Sequence, residues 1–136
     1  MRTPFELQVV TPDGVGFSET VMSVRLPAVS GTLGILARHA PLVSPLIPGE
    51  LWVRDENQGE TSYAIGEGFV DVADNVCTVL TDFSLSAADI DVDRAARSAE
   101  RARERLASPK AGYDVIRAKA SLLRAVARVQ VAKRHG

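Results

Sequence analysis

The chain has a single cysteine, Cys77, two histidines and few aromatic residues, 5% of the total. One cysteine excludes an internal disulfide and a cysteine-built metal cluster; beside Thr78 in a strand-like run it reads as a packing residue. His39 and His135 have no neighbours at the spacing of a nucleophile pair or a metal ligand set. Gly31-Thr32-Leu33-Gly34 and Gly66-Glu67-Gly68 are too short for phosphate-binding loops and lack a following helix. No apolar run approaches the roughly 20 residues that cross a bilayer. The start, Met1 to Glu6, lacks the apolar core of a secretory signal. These absences argue against an enzyme and point to an intracellular protein.

What is present divides in two. Residues 1–88 hold 4 Lys and Arg against 11 Asp and Glu, whereas residues 89–136 hold 12 against 6. Net charges of −7 and +6 in one chain of 136 residues imply two units with different partners. The basic unit should meet an acidic surface or phosphates.

The first unit, residues 1–86, reads as seven to ten short strands with turn signals roughly every eight residues, which a β-sandwich or flattened barrel fits best. Phe5, Leu7 and Val9 alternate with Glu6, Gln8 and Val10 before the turn at Thr11-Pro12-Asp13-Gly14. Val21 to Leu26 forms a strand that Pro27 is expected to stop. From Pro27 to Gly49, three glycines and four prolines break up short apolar pieces, so no helix can run there. This stretch reads as short strands and a stiff loop that presents Arg38 and His39. Asp55 to Gly59 is a polar hairpin tip, and Ala73-Asp74-Asn75 a tight turn.

The second unit, residues 87–136, reads as an antiparallel two-helix hairpin, which makes the chain α+β. Asp89, Asp91 and Asp93 suit a helix N-terminus as caps and as acids that offset the macrodipole. Ala95, Ala99, Ala102 and Leu106 form one narrow stripe, and Ser108 to Gly112 ends the helix. Tyr113-Asp114 opens the second helix, with Ile116, Ala120, Leu123 and Ala127 on one stripe and Leu122, Val126 and Val129 beside it. Alanine interfaces bury little area, so the hairpin needs a host. Arg94, Arg97, Arg101 and Arg105 share a face of the first helix, and Arg117, Arg124 and Arg128 a face of the second. After Asp114 the second helix carries only cations, including Lys119, Lys133 and Arg134, so an acidic partner is expected. A nucleic-acid- or nucleotide-binding module is the alternative, but base-reading would want aromatics, and the hairpin has only Tyr113.

Several segments carry a family resemblance: Gly31, Gly34-Ile35-Leu36 and His39-Ala40-Pro41-Leu42; Pro48-Gly49; Gly66 with Gly68-Phe69-Val70 and Val72; Val76 with Val79-Leu80; and Asp89-Ile90-Asp91. In order and spacing the chain resembles the epsilon subunits of bacterial F-type ATP synthases over nearly its whole length. The resemblance implies a ten-stranded sandwich and a helical hairpin in a non-catalytic subunit of the central rotor stalk. Such a subunit binds gamma and rests on the membrane c-ring at the cytoplasmic face of the plasma membrane, as a peripheral protein that couples ion translocation to ATP synthesis. It implies c-ring and stalk contacts by Gly31, Thr32, Arg38, His39, Ala40 and Pro41, with Thr32 standing where members often have an acid. It implies that the hairpin can rise into the alpha/beta catalytic head. There Arg117, Arg124, Arg128, Lys133 and Arg134 would meet acidic beta segments and block ATP hydrolysis. No cofactor is required. ATP is an expected regulatory ligand through Ile90-Asp91-Val92-Asp93-Arg94-Ala95, supported by Arg101, Arg124 and Arg128, although Leu85 replaces an acid that contributes in such members. No nucleic acid is expected as a partner.

Overall fold

A computed structural model of the chain describes residues 3–14, 16–107 and 114–135. Nine strands come first: β1 (Phe5–Val10), β2 (Phe17–Ala28), β3 (Gly31–Ile35), β4 (Leu42–Leu46), β5 (Gly49–Asp55), β6 (Glu60–Ile65), β7 (Gly68–Ala73), β8 (Val76–Thr81) and β9 (Ser84–Ser86). A short 3-10 turn, Ala87–Asp89, leads to helices α1 (Val92–Ala107) and α2 (Val115–His135).

The strands close on themselves. β1 pairs in parallel with β8 and antiparallel with β2, and the path β8-β7-β4-β2 completes the circuit. β2 makes this possible by serving both layers. Its first part, Phe17 to Val21, pairs with β1, and after a register shift between Val21 and Ser23 its second part lies between β3 and β5. Such a bulge bends a strand and raises its twist, which carries it around the corner of a sandwich. Pro27 does not stop this strand. It pairs with Thr32 of β3, while its carbonyl accepts the Ile47 N–H at 2.9 Å, so an acceptor is used where the donor is missing.

Alternation decides which side chains go inside. Phe5, Leu7, Val9, Val21, Val24, Leu26, Ile35, Leu51, Val53, Ile65, Val70, Val72, Cys77 and Val79 are buried in one core between the layers. The turns follow the chemistry of their residues. Gly14 donates its N–H to Thr11 at 2.9 Å with φ +73°. Asp74 and Asn75 join β7 to β8 with φ of 52° and 64°, the left-handed pair a two-residue hairpin of matching twist requires. At the β5–β6 tip the Asp55 carboxylate accepts the N–H groups of Asn57 and Gly59, both at 2.8 Å.

The helices start on capping acids. Asp91 accepts the Arg94 N–H and Asp114 the Arg117 N–H, each at 3.1 Å. Ser108 to Tyr113, the expected helix end and turn, lie outside the described residues. α1 packs on α2 through buried Ala95, Ala99 and Ala102, and α2 in turn packs on β5 and β6. α2 is therefore the middle layer, which corrects its expected stripe. Ala118 and Ala125 are buried, as are Ala127, Val131 and Ala132, whereas Ile116 is 80% exposed and Leu123 44%. The physical reason is overhang: Arg124, Ala127, Arg128, Val131, Ala132 and Arg134 meet the sandwich, and Ile116 and Leu123 precede it along the helix.

Candidate functional site

One surface of the sandwich and its seam with the hairpin carry the expected residues, and a second surface stands beside them. The first surface surrounds β3. Gly31 and Thr32 are exposed at its start, beside the β2–β3 turn, with φ +124° at Gly31, a conformation L side chains rarely adopt. Arg38, His39, Ala40 and Pro41 follow its other end. Five residues, Leu33 to Ala37, lie between the two groups, which form two patches along the chain, one at each end of β3. The second patch is stiffened locally. Arg38 has φ +60°, and its N–H is held at 2.8 Å by the Asn75 side-chain oxygen. The same Asn75 side chain donates to the Pro4 carbonyl at 3.1 Å. His39 donates its N–H to Leu36 at 3.2 Å, and its Nδ1 lies 2.7 Å from the Ala40 carbonyl.

The second surface was not anticipated. Val10 is registered against Leu80, Leu80 against Phe69 and Phe69 against Pro45, so these four side chains share one face of β1-β8-β7-β4. All four are exposed, Phe69 by 53%, and Val43 on the same face of β4 by 68%. An apolar row on an uncovered sheet face is unusual in a protein that stands alone. Its signal in the sequence was the failure of polar alternation at Val10, Phe69 and Leu80.

The seam joins α2 to the connections β6–β7 and β8–β9. Arg124 donates from Nε and Nη2 to the two carboxylate oxygens of Glu67 at 2.9 and 2.6 Å. One turn on, the Arg128 guanidinium lies over the Phe83 ring, 4.1 Å from its centre. Arg134 donates from Nη1 to both oxygens of Glu50 on β5 at 2.9 and 3.0 Å. The hydrogen bonds from Arg124 hold the Glu67 carboxyl below the usual glutamate range. Burial, then Arg124, then Arg94, push the Arg128 guanidinium below its usual range. Between this seam and α1 opens a cleft of about 340 Å³ lined by Leu85, Asp89, Ile90, Asp91, Arg94, Ala95, Ser98 and Arg128. The structure thus brings Ile90, Asp91, Arg94, Ala95 and Arg128 together. Arg101, whose Nη2 donates to Ser98 at 3.1 Å, and Arg124, engaged by Glu67, are not among the residues lining the cleft. Arg117 and Lys133 are exposed on α2. Among the described residues no helix is long and apolar enough to cross a membrane.

Comparison with known proteins matches both units. Residues 4–87 fit the family described as ATP synthase, Delta/Epsilon chain, beta-sandwich domain, and residues 88–133 fit its long alpha-helix domain. The ATP synthase epsilon chain of Nitratidesulfovibrio vulgaris is 40% identical over 96% of this chain and 97% of its own length. That of Moorella thermoacetica is 37% identical over 93% and 94%. Among solved structures, a chain in the OSCP/F1/c-ring assembly of the Euglena gracilis mitochondrial ATP synthase superposes with a TM-score of 0.76 at 26% identity, covering 95% of this chain and 80% of that one. A chain of the Tetrahymena thermophila central stalk and c-ring shares the fold, with a TM-score of 0.58 at 16% identity over 98% of this chain and 96% of that one. The alternative of a nucleic-acid-binding hairpin finds no support in these relationships. With both units matched in order, and full-length relatives at 37–40% identity, the chain belongs to the epsilon chains of ATP synthase, which are non-catalytic subunits.

Proposed function

We propose that the sandwich mounts this subunit in the central stalk at the cytoplasmic face of the membrane, and that the hairpin detaches from it to brake ATP hydrolysis. The observation that carries the brake is the layering: α1 rests on α2, and α2 is held by small apolar residues and three arginine contacts. Such an attachment is weak enough for a partner to outcompete, which makes the hairpin a two-state element. In the detached state Arg117, Arg124, Arg128, Lys133 and Arg134 face acidic segments of the beta subunits in the alpha/beta head. The exposed Ile116 and Leu123 supply apolar contact there.

The Val10–Leu80–Phe69–Pro45 row is the mount against gamma, because an apolar partner surface removes it from water. The two ends of β3, Gly31 with Thr32 and Arg38 to Pro41, are the contacts with the c-ring and adjoining stalk, through which ion translocation is coupled to ATP synthesis.

ATP is the regulatory ligand of the docked state, bound in the cleft of Ile90, Asp91, Arg94, Ala95 and Arg128. The fit rests on two guanidiniums, Arg94 and Arg128, that face one cleft and can both donate to a triphosphate lying between them, where it would also offset the burial that holds Arg128 below its usual range. Arg101 and Arg124 could join them only by leaving Ser98 and Glu67. No further cofactor is needed.

The test is reconstitution with an ATP synthase head that lacks its own epsilon chain but keeps gamma. The full chain should bind and slow hydrolysis, and Phe69→Asp should abolish both effects. Binding that survives Phe69→Asp unchanged would refute the mount, and binding without slowing would refute the brake.

A further inference from the structure

We infer that Glu67 and Glu50 are built-in surrogates for the acidic partner, which mask Arg124 and Arg134 whenever the hairpin is docked. This inference rests on the reading of α2 as the segment that meets acidic beta segments. Two of the five cations assigned to that encounter are ion-paired with carboxylates of the sandwich, half-exposed Arg124 with Glu67 and exposed Arg134 with Glu50. A third, Arg128, is covered by Phe83. The cations cannot serve both surfaces at once, so docking and braking are competing uses of one set of arginines.

The clamp that presents Glu67 is rigid. The Thr81 hydroxyl accepts the Gly66 N–H at 3.0 Å and points back to the carbonyls of Gly66 and Phe83 at 3.0 and 3.2 Å. Asp82 donates its N–H to the Glu67 carbonyl at 3.1 Å. A side chain at Gly66 would meet the Phe83 ring at 2.7 Å, so the two connections lie in contact. Glu67 and Phe83 are thereby set side by side, one helical turn apart along α2, to take Arg124 and Arg128. The Arg124–Glu67 pair has the two-pronged geometry that gives carboxylate recognition its direction. Placed on the sandwich and not on the hairpin, the two acids stay behind when the hairpin leaves. They therefore set the threshold for braking without touching the head.

The experiment uses the full chain. Spin labels on Asn57→Cys at the β5–β6 tip and Ser98→Cys on α1 report the distance between hairpin and sandwich, while the buried Cys77 stays unlabelled. Glu67→Gln keeps the shape of the side chain and removes its charge. It should raise the displaced population about fivefold, the upper end for an exposed but two-pronged ion pair, and lower the half-inhibiting concentration for the head by a similar factor. Arg124→Gln should also displace the hairpin but raise the half-inhibiting concentration, since the partner loses its cation. The exchange Glu67→Arg with Arg124→Glu should restore docking without restoring inhibition. A hairpin unmoved by Glu67→Gln, in a chain that slows hydrolysis, would overturn the masking and leave the brake standing. A hairpin that Glu67→Gln releases, in a chain that never slows hydrolysis, would overturn the brake and with it the surrogate role of Glu67.

Discussion

The Arg128 guanidinium stacks on the Phe83 ring at 4.1 Å and so joins the last connection of the sandwich to the middle of α2. Phe83 also packs against the cluster of Ala64, Ile90, Ala127, Val131 and Ala132, which contains no other aromatic ring. Phe83→Ala should therefore weaken hairpin docking by about 1–2 kcal/mol, from the lost stacking and half-buried area together. Amide exchange should quicken across α1 and α2 and stay unchanged in β1 and β8. Equal acceleration in both would contradict this division.

Asn75 ties three segments together: its side chain accepts the Arg38 N–H and donates to the Pro4 carbonyl, at φ +64°. Asn75→Ala should destabilise the sandwich by about 2 kcal/mol in urea, from the left-handed backbone and the lost hydrogen bonds. Asn75→Gly should cost less, because only the hydrogen bonds are lost. The reverse order would show that backbone conformation is not what Asn75 supplies.

Much of the fold was legible because local rules and tertiary demands agree. Alternation from Phe5 to Val10 and the Asp74-Asn75 turn required no knowledge of neighbours. Pro27 misled because its strand position depends on a carbonyl partner, Ile47, from a distant loop. The buried face of α2 misled because alanines carry it while Ile116 and Leu123 overhang. The Arg124–Glu67 pair spans 57 positions in sequence and has no local signal, so arginines that read as unpaired are partly paired.

Acid should loosen the hairpin. Arg124 holds the Glu67 carboxyl below its unfolded value, so the stability it contributes is full above the ordinary glutamate range and is lost as pH falls through the lowered folded value. Docking, followed by the same label pair, should decline in the wild type on that acid limb. Glu67→Gln should lose this limb. An identical acid limb in Glu67→Gln would assign the titration elsewhere.

Burial pushes the Cys77 thiol up to about 12, and its side chain lies within the core. Alkylation at pH 8 should be negligible in the native protein and reach one thiol per chain in urea. Rapid native labelling would mean that β8 opens far more readily than its place between β1 and β7 implies.

Mounting by the sandwich and braking by the hairpin are separable. The sandwich core is built from strands alone, so a chain ending after Ser86 keeps it whole. The decisive measurement is ATP turnover by an epsilon-free head containing gamma, titrated with the full chain and with that shortened chain. Both should bind, and only the full chain should slow hydrolysis. Equal slowing by the two, or none by either, would contradict these roles.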